Sequence, residues 1–207
     1  MQIEGFVLIG GRSSRLGRDK ATLQFGGTTL AHRAVKTIQN ALAPERVTFV
    51  AGNAAQFDTT AFLADTPFLF DLIEDRGPLG GLHTALLHAR TPWIFVLACD
   101  YPFVSPDLVK LLGNLVSDVF GAVVPEQPDG RLQPLCAFYK TETARPVVDK
   151  IINQPRVSPP LHEALRELSP RIIKYDEYSH LPGADNLFIN LNTPDDLENI
   201  LRTDQYR

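Results

Sequence analysis

The amino-acid sequence predicts a three-layer α/β fold in which a mainly parallel, mixed sheet carries helices on both faces. Strand-like apolar runs alternate with helical patterns from the start of the chain, which is typical of βα units around a parallel sheet. The runs at 3–9 and 93–98 are almost continuously apolar, as expected for strands buried on both faces. The chain has 207 residues, 44% of them hydrophobic, which is enough for a large core. We therefore expect residues 1–207 to form one domain.

The first half of the chain is predicted to contain a series of strands and helices in alternation. The strands are expected at residues 3–9, 47–50, 68–73 and 93–98. The helices, recognised by apolar residues three or four positions apart, are expected at residues 30–42, 82–89 and 108–115. Pro44 ends the first helix, and the segment 99–102 ends the last of these strands. Because parallel strands end at the same edge of a sheet, the polar residues that follow them are expected to lie together.

Past Gly121 the pattern predicts a change to antiparallel pairing. Apolar runs at 122–124 and 135–139 flank a Pro-Asp-Gly turn signal at 128–130, which would make the sheet mixed. The remaining elements are expected to be two helices, a short strand and a last helix, at 143–152, 160–168, 187–189 and after the capping residue Thr193.

A basic, glycine-containing loop follows the first strand. The segment LIGGRSSRLGRDK at 8–20 places Gly10 and Gly11 at the strand end, and four cations follow them, Arg12, Arg15, Arg18 and Lys20. Glycine lets backbone N–H groups approach an anion closely, and the cations neutralise its charge. The spacing fits neither a P-loop nor a dinucleotide-binding fingerprint. The loop is therefore predicted to hold the phosphates of a nucleotide in another arrangement.

Asp100 lies in the Cys-Asp-Tyr-Pro segment that ends the strand at 93–98, and it is the candidate metal ligand. A carboxylate at a buried strand end beside a phosphate site suits Mg²⁺, which takes one or two protein carboxylates together with phosphate oxygens and water. The histidines fall on predicted helices or in a late loop and form no triad, at His32, His83, His88, His162 and His180. An attacking phosphate is ionised at neutral pH and needs no general base. Catalysis is then expected to depend on positioning and charge neutralisation, with Lys20 and Asp100 as the catalytic residues.

The composition argues against several classes of protein. A net charge of -4 does not favour general binding to nucleic acid or to a membrane, since both partners attract a basic surface. The sequence shows no apolar run of membrane-spanning length and no signal-peptide pattern, so we expect a cytoplasmic protein. Cys99 and Cys136 fit neither a disulfide framework nor a zinc site, and we expect both to be packed thiols.

Five motifs are spread along the whole chain: LIGGRSSRLGRDK at 8–20, EDRGPLGGL at 74–82, ACDYP at 98–102, QPLCAFY at 133–139 and NLNTPDDL at 190–197. Together they resemble the molybdenum cofactor guanylyltransferases, the MobA family. The resemblance implies the nucleotide-diphospho-sugar transferase fold, which is GT-A-like and Rossmann-like. It also implies transfer of GMP from GTP to the terminal phosphate of molybdenum-bound molybdopterin, with release of pyrophosphate. Mg²⁺ is the implied cofactor, and other cofactor-biosynthesis and delivery proteins are possible partners.

The same resemblance implies roles for individual residues. Nucleotide contacts are implied for the first loop and the strand ends, at Leu8, Ile9, Gly10, Gly11, Arg15, Lys20, Asn53, Asp75 and Asp100. Asp100 would hold the metal as well. Contacts to the acceptor are implied for Gly80, Asn190 and Asn192. Apart from the resemblance, Arg131 and the loop at 153–160 are further candidates for the acceptor side, with a solvated hairpin arginine and a loop without a binding role as the alternative interpretation. The chain departs from the family pattern at four positions, Ile9 and Ala51 in place of Ala and Asn, and Leu16 and Ala98 in place of Met and Pro.

Three alternatives remain open from the sequence. Related enzymes use CTP on the same acceptor or join a nucleotide to a sugar phosphate, but they usually carry Ala where this chain has Gly10. The paired glycine leaves room for a larger purine and favours guanine. A catalytically inactive module that binds a nucleotide for cofactor delivery is the third alternative. Such a module needs no magnesium carboxylate, so the presence of both Lys20 and Asp100 argues against it.

Overall fold

The computed structural model describes residues 2–9, 20–52, 66–155 and 160–191. In these ranges the strands are Ile3–Leu8 (β1), Gln24–Phe25 (β2), Thr28–Thr29 (β3), Arg46–Ala51 (β4), Phe68–Phe70 (β5), Trp93–Ala98 (β6), Ala122–Pro125 (β7), Cys136–Lys140 (β8) and Arg171–Ile173 (β9). The α-helices are Leu30–Leu42 (α1), Pro78–His88 (α2), Pro106–Asn114 (α3), Thr141–Ile152 (α4), Leu161–Glu167 (α5) and Tyr175–Tyr178 (α6). Two short 3-10 helices lie at Lys20–Thr22 and Ala184–Asn186.

The main sheet is mixed, as the sequence predicts. Its strand order is β5-β4-β1-β6-β8-β7-β9. The four strands β5, β4, β1 and β6 are parallel to one another, with β1 between β4 and β6. β8 is inserted antiparallel between β6 and β7, and β9 is parallel to β7. The carboxyl ends of β1, β4, β5 and β6 therefore meet at one edge.

Helices cover both faces of this sheet and give the predicted three layers. α1 and α3 pack against each other on one face, and α2 and α4 pack together on the other. Each face carries its own hydrophobic cluster, one including Val35 and Leu112 and the other including Leu82 and Val148. Cys99 and Cys136 are buried in the first of these clusters, as expected for packed thiols.

A buried polar network around Glu4 closes the amino-end edge of the sheet. The Glu4 carboxylate is 3% exposed and pairs with the guanidinium of Arg46 at 2.9 Å. It also accepts a hydrogen bond from the backbone N–H of Arg90 at 2.6 Å. The hydroxyl of Thr91 accepts from the backbone N–H of Glu4 at 3.2 Å. A buried carboxylate needs such partners, because the loss of its hydration would otherwise be costly.

The predicted strand at 187–189 is wrong. Gly183, with φ at +72°, begins the 3-10 helix Ala184–Asn186, and the backbone N–H groups of the following turn donate back into that helix. Leu187 and Phe188 are both buried in the same cluster, whereas consecutive residues of a strand point to opposite faces. The apolar side chains of this segment are explained by the burial of a turn and not by a strand.

Two further differences concern the edges of the sheet. The strand predicted at 68–73 ends at Phe70, because the N–H of Asp71 makes the last ladder hydrogen bond, to Ala51 at 2.8 Å, before the chain turns. The sequence patterns also do not predict β2, β3, β9 or α6. Each is too short to show a hydrophobic period.

Several expectations concern residues outside the described ranges. They are the glycine-rich loop at 10–19, Asn53, the middle of the loop at 153–160, and the helix capped by Thr193. Within the described ranges, the helices are all too short or too polar to cross a bilayer.

Candidate active site

The carboxyl ends of four parallel strands lie level with one another. Leu8 at the end of β1 is in register with Val50 in β4 and with Ala98 in β6. Ala51 in turn is in register with Phe70 at the end of β5. The residues within two positions of these strand ends therefore share one edge, and they include Ile9, Gly52, Asp71 and Asp100. This is the edge at which open α/β sheets bind their ligands.

Asp100 and Lys20 come together at this edge although 80 positions separate them in the chain. Burial raises the pKa of the Asp100 carboxyl, and the positive charge of Lys20 acts against this increase. Among the described residues, Oδ1 of Asp100 is buried and has no hydrogen-bond partner. A buried carboxylate oxygen without a donor is suited to a cation or to a ligand that carries one.

A short hairpin holds the segment that carries Lys20 in this position. The hairpin, formed by β2 and β3, connects the 3-10 helix of Lys20 to α1, whose first turn is capped by the hydroxyl of Thr29. Phe25 of the hairpin packs edge-to-face on Phe103 at 5.4 Å between ring centroids. Arg33 of α1 lies over the Phe25 ring and donates from Nε to the carbonyl of Pro102 at 2.5 Å. One helix thus holds both the Lys20 segment and the turn that carries Asp100.

Asp71 is a second carboxylate at the same edge, and the sequence analysis missed it. Burial raises the pKa of Asp71 to about 7, and a hydrogen bond with the Thr84 side chain opposes this increase. Among the described residues, its Oδ1 is buried without a hydrogen-bond partner. The sequence does contain a signal for it, because Asp71 directly follows the apolar run Phe-Leu-Phe. The strand was predicted to continue to residue 73, which placed Asp71 inside the strand and not at its end.

Gly80 and Gly81 in the first turns of α2 make room for neighbouring side chains. A Cβ on Gly80 would lie 3.1 Å from Oδ2 of Asp71 and 3.4 Å from the backbone carbonyl of Ile73. A Cβ on Gly81 would lie 3.1 Å from a methyl group of Leu8. Both glycines are buried. Gly80 is thus next to Asp71 in this structure, while its contact with an acceptor stays a prediction.

Asp75 occupies the turn between β5 and α2. Its backbone has a φ of +58°, an unusual conformation for a residue other than glycine, and its side chain is exposed. Such a conformation recurs at binding sites because the surrounding structure must enforce it. The nucleoside contact implied for Asp75 stays a prediction.

Leu8 and Ile9 belong to the core as well as to the edge. Their side chains are 7% and 3% exposed, so only their backbone can face a ligand. The carbonyl of Leu8 accepts from Cys99 at 3.1 Å, and the N–H of Ile9 donates to Val50 at 2.9 Å. Ile9 therefore places its side chain inside the protein and not in the cleft. The predicted contacts of Gly10, Gly11, Arg15, Asn53 and Asn192 fall on residues that the structure does not describe.

A polar groove of about 470 Å³ opens beside the Asp100 turn. Its walls come from the turn between β7 and β8 and from the segment around the second 3-10 helix, and they include Tyr101, Arg131, Gln133 and Asn190. The guanidinium of Arg131 is mostly exposed and pairs with Asp129 at 2.7 Å, so this ion pair contributes little to stability. Two residues expected on the acceptor side, Arg131 and Asn190, therefore line one groove.

Two of the histidines pack within the helical layer, as expected. His83 is 6% exposed, and its Nε2 lies 2.9 Å from Oδ1 of Asp149. The Nδ1 of His88 lies 2.9 Å from the carbonyl of Thr84 within the same helix. The contact between His83 and Asp149 joins α2 to α4 on one face of the sheet.

The donor set of this edge fits a Mg²⁺ ion that is shared with a phosphate chain. Within the described ranges, no group of three or more His, Cys, Asp or Glu side chains is arranged to enclose a metal. The protein contributes the buried, unpartnered Oδ1 of Asp100. Since Mg²⁺ commonly binds through one or two carboxylates and takes its other ligands from phosphates and water, this single oxygen suits it.

Comparison with known proteins indicates one family for this chain. Residues 5–169 match the family model described as the MobA-like NTP transferase domain. The chain is 30% identical over 200 residues to a Clostridium perfringens protein named "Probable molybdenum cofactor guanylyltransferase", covering 95% of this chain and 94% of that protein. It is also 30% identical over 201 residues to a Methanosarcina mazei protein of the same name, with 94% and 88% covered.

A solved structure shares the fold over nearly the whole chain. It is the Archaeoglobus fulgidus protein described as "Molybdopterin-guanine dinucleotide biosynthesis protein A". The TM-score is 0.73 at 25% sequence identity, and 95% of each chain is covered. The overall fold is thus one that this chain shares with that protein.

Proposed function

The chain belongs to the MobA-like NTP transferase family, and from that premise we propose that it is a molybdenum cofactor guanylyltransferase. The reaction joins GMP from GTP to the terminal phosphate of molybdenum-bound molybdopterin and releases pyrophosphate. The observation that carries this proposal is the buried Oδ1 of Asp100, without a partner among the described residues and close to the charge of Lys20.

The reaction is a phosphoryl substitution that needs little acid–base chemistry. An oxygen of the acceptor's terminal phosphate forms a bond to the α-phosphorus of GTP, and the bond from that phosphorus to the bridging oxygen of the β-phosphate breaks. The electron pair of the broken bond leaves with pyrophosphate. The attacking oxygen is already ionised, so the enzyme has to align two anions and neutralise their charge.

Lys20 and Asp100 are the residues proposed for this work. The Lys20 ammonium pairs with the triphosphate and disperses negative charge that grows on the leaving pyrophosphate. Asp100 would hold Mg²⁺ through its carboxylate. When bound there, the cation would supply further neutralisation of phosphate charge. The 3-10 helix, the hairpin and α1 keep these two side chains in place before the nucleotide binds.

The strand order supports a nucleotide that lies across the edge of the sheet. Asp71 follows β5 and Asp100 follows β6, three strands away, which corresponds to about 14 Å across a sheet. The phosphates would lie near β1 and β6, and the base near β4 and β5, where Asn53 and Asp75 are also expected. An ionised Asp71 can accept hydrogen bonds from two adjacent N–H groups, the pattern that guanine presents at its N1 and 2-amino positions.

The acceptor would approach from the opposite end of the edge. The groove beside Tyr101 adjoins the Asp100 turn and contains Arg131 and Asn190. A groove of this volume is within the range of small-molecule sites, about 300–1,000 Å³. We assign it to the acceptor, together with Asn192.

Incubation of the purified chain with Mg²⁺, molybdenum-bound molybdopterin and GTP, CTP or ATP tests the proposal. The expected result is a guanine dinucleotide product identified by mass, with equimolar pyrophosphate. A cytosine dinucleotide product would instead show that the protein is the CTP-dependent enzyme. Binding is checked separately by thermal shift, because a ligand of the folded state raises Tm in proportion to its affinity. Stabilisation by GTP without any transfer would favour the inactive delivery module.

A further inference from the structure

Three separate segments of the chain meet at the hydroxyl of Tyr101. The phenol donates to Oε1 of Gln133 at 2.8 Å, and the side chain of Asn190 makes a hydrogen bond with the Tyr101 hydroxyl. Gln133 is 6% exposed and lies between β7 and β8, whereas Asn190 follows the second 3-10 helix. Tyr101 itself is the residue after Asp100. Both walls of the groove are therefore tied to the turn that carries the candidate metal ligand.

The Tyr101 ring also contacts the groove wall that carries Asn190. The ring makes an edge-to-face contact with Phe188, with centroids 6.0 Å apart. Phe188 in turn packs edge-to-face on Tyr178 at 6.2 Å. The backbone adds a further link, since the N–H of Leu191 donates to the carbonyl of Asp100 at 3.2 Å. The segment around Phe188 and Leu191, which forms one groove wall, is thus attached to the Asp100 turn by both side-chain and backbone contacts.

The chemistry of this phenol is that of a neutral hydrogen-bonding group. Burial raises the pKa of Tyr101 well above its usual range, and the negative charge of Asp100 raises it further. An ionised Tyr101 is therefore absent at physiological pH. Its hydroxyl is engaged both as a donor to Gln133 and in the contact with Asn190, so it is suited to holding a shape.

We propose that Tyr101 is a positioning residue that sets where the acceptor lies in the groove relative to Asp100. This inference rests on the proposed function, because it takes the groove as the acceptor site. The two reacting phosphates must be aligned closely, and a displacement of about 1 Å can reduce a rate by about a hundredfold. The Tyr101 hydroxyl bonds to both groove walls, and the Tyr101 backbone follows Asp100 directly. The hydroxyl therefore determines this alignment without touching the reacting atoms.

Tyr101→Phe is the direct test, since it keeps the ring on Phe188 and removes only the hydroxyl. We expect the KM for the acceptor to rise by about three- to tenfold, the loss typical of one neutral hydrogen bond, and kcat to fall because the two phosphates are less well aligned. The KM for GTP and the affinity for GTP with Mg²⁺ should stay unchanged. Tyr139→Phe is the matched control, because that hydroxyl donates to the carbonyl of Pro134 at 2.7 Å within the same region but does not line the groove.

A double variant tests whether the hydroxyl acts through Gln133. If it does, Tyr101→Phe combined with Gln133→Leu should affect the acceptor KM no more than the stronger single change. Additive effects, an equal change in both KM values, or the same acceptor effect in Tyr139→Phe would overturn the inference.

Titration of molybdenum-bound molybdopterin without GTP separates this inference from the proposed function. Acceptor binding by the wild type without GMP transfer would contradict the function, and weaker binding by Tyr101→Phe would still support the inference. Transfer by the wild type with an unchanged acceptor KM in Tyr101→Phe would leave the function in place and overturn the inference. A wild type that neither binds nor transfers would overturn both.

Discussion

Oδ2 of Asp71 lies 3.1 Å from the point where a Cβ on Gly80 would stand, so the carboxylate occupies space that only glycine leaves open at that position. Such a distance is shorter than ordinary van der Waals contact. Gly80→Ala should therefore displace the carboxylate or the start of α2. We expect weaker binding of GTP, measured by titration, while Tm changes little because Ala favours a helix over Gly by about 1 kcal/mol and offsets part of the strain.

Gly81→Ala is the control for this prediction. Its added methyl would meet the methyl groups of Leu8 at 3.1 and 3.2 Å, and these belong to a flexible side chain. GTP affinity should fall less than in Gly80→Ala. The reverse order of the two variants would contradict a role for the space around Asp71.

Asp71 should make the stability of the protein depend on pH. Its pKa is raised from 3.8 to about 7 in the folded protein, so the folded state binds more protons than the unfolded state between these values. The contribution of Asp71 to stability is therefore fully present below pH 3.8 and is lost as the pH rises through 7. Asp71→Asn should have a higher Tm than the wild type above pH 7, and the difference should shrink towards acid pH.

Nucleotide binding should respond to Asp71 in the opposite direction. Ionised Asp71 is the form that accepts hydrogen bonds from the base, so GTP affinity in the wild type should increase as the pH rises through 7. Calorimetric titration across this range should show a weaker pH dependence in Asp71→Asn. Equal slopes for the two proteins would mean that another group, such as the γ-phosphate, causes the whole effect.

Asp100→Asn should abolish GMP transfer and keep the fold. Removal of the carboxylate takes away a metal ligand at the reacting phosphate, and we expect a loss of about a hundredfold or more in kcat. Burial raises the pKa of Asp100, so the ionised carboxylate is costly to bury, and Tm should not decrease. Pyrophosphate release and a melting curve check both statements. Asp107→Asn, at an exposed position in the first turn of α3, should retain full activity.

Lys20→Met should weaken nucleotide use and leave residual turnover. The KM for GTP should rise because the triphosphate loses a counter-charge. The lysine also opposes the raised pKa of Asp100, so without it Asp100 should take up a proton at higher pH. The acid limb of the pH–rate profile should therefore move to higher pH. Lys36→Met, at an exposed position on α1, should show neither effect.

The order of elements was predictable from the sequence because it depends on local patterns. β1 and β6 appear as continuous apolar runs, and α1 appears as a four-residue period that ends before Pro44. The Pro-Asp-Gly turn correctly predicted the antiparallel excursion, with Gly130 at a φ of +84°. Burial alone misled the analysis at 187–189, where a turn buries consecutive apolar residues.

The candidate site was predictable only in part. Asp100 could be found because it follows a long apolar strand. Asp71 follows a strand of three residues, too short for its end to be located from the sequence. Gly80 was expected to contact the acceptor, and its neighbour in the structure is Asp71.

The sequence by itself thus determined the alternation of strands and helices and the family, and it singled out Lys20 and Asp100 as candidates, because each depends on short-range pattern or on a local motif. Only the tertiary structure decided which of these residues meet. Lys20 faces Asp100 because β1 and β6 are neighbours and α1 holds the connecting hairpin. Tyr101 joins Gln133 and Asn190 because β8 inserts beside β6 and the chain returns to the Asp100 turn. Such contacts follow from strand order, which is set by packing across the whole sheet and leaves no mark at any single position of the sequence.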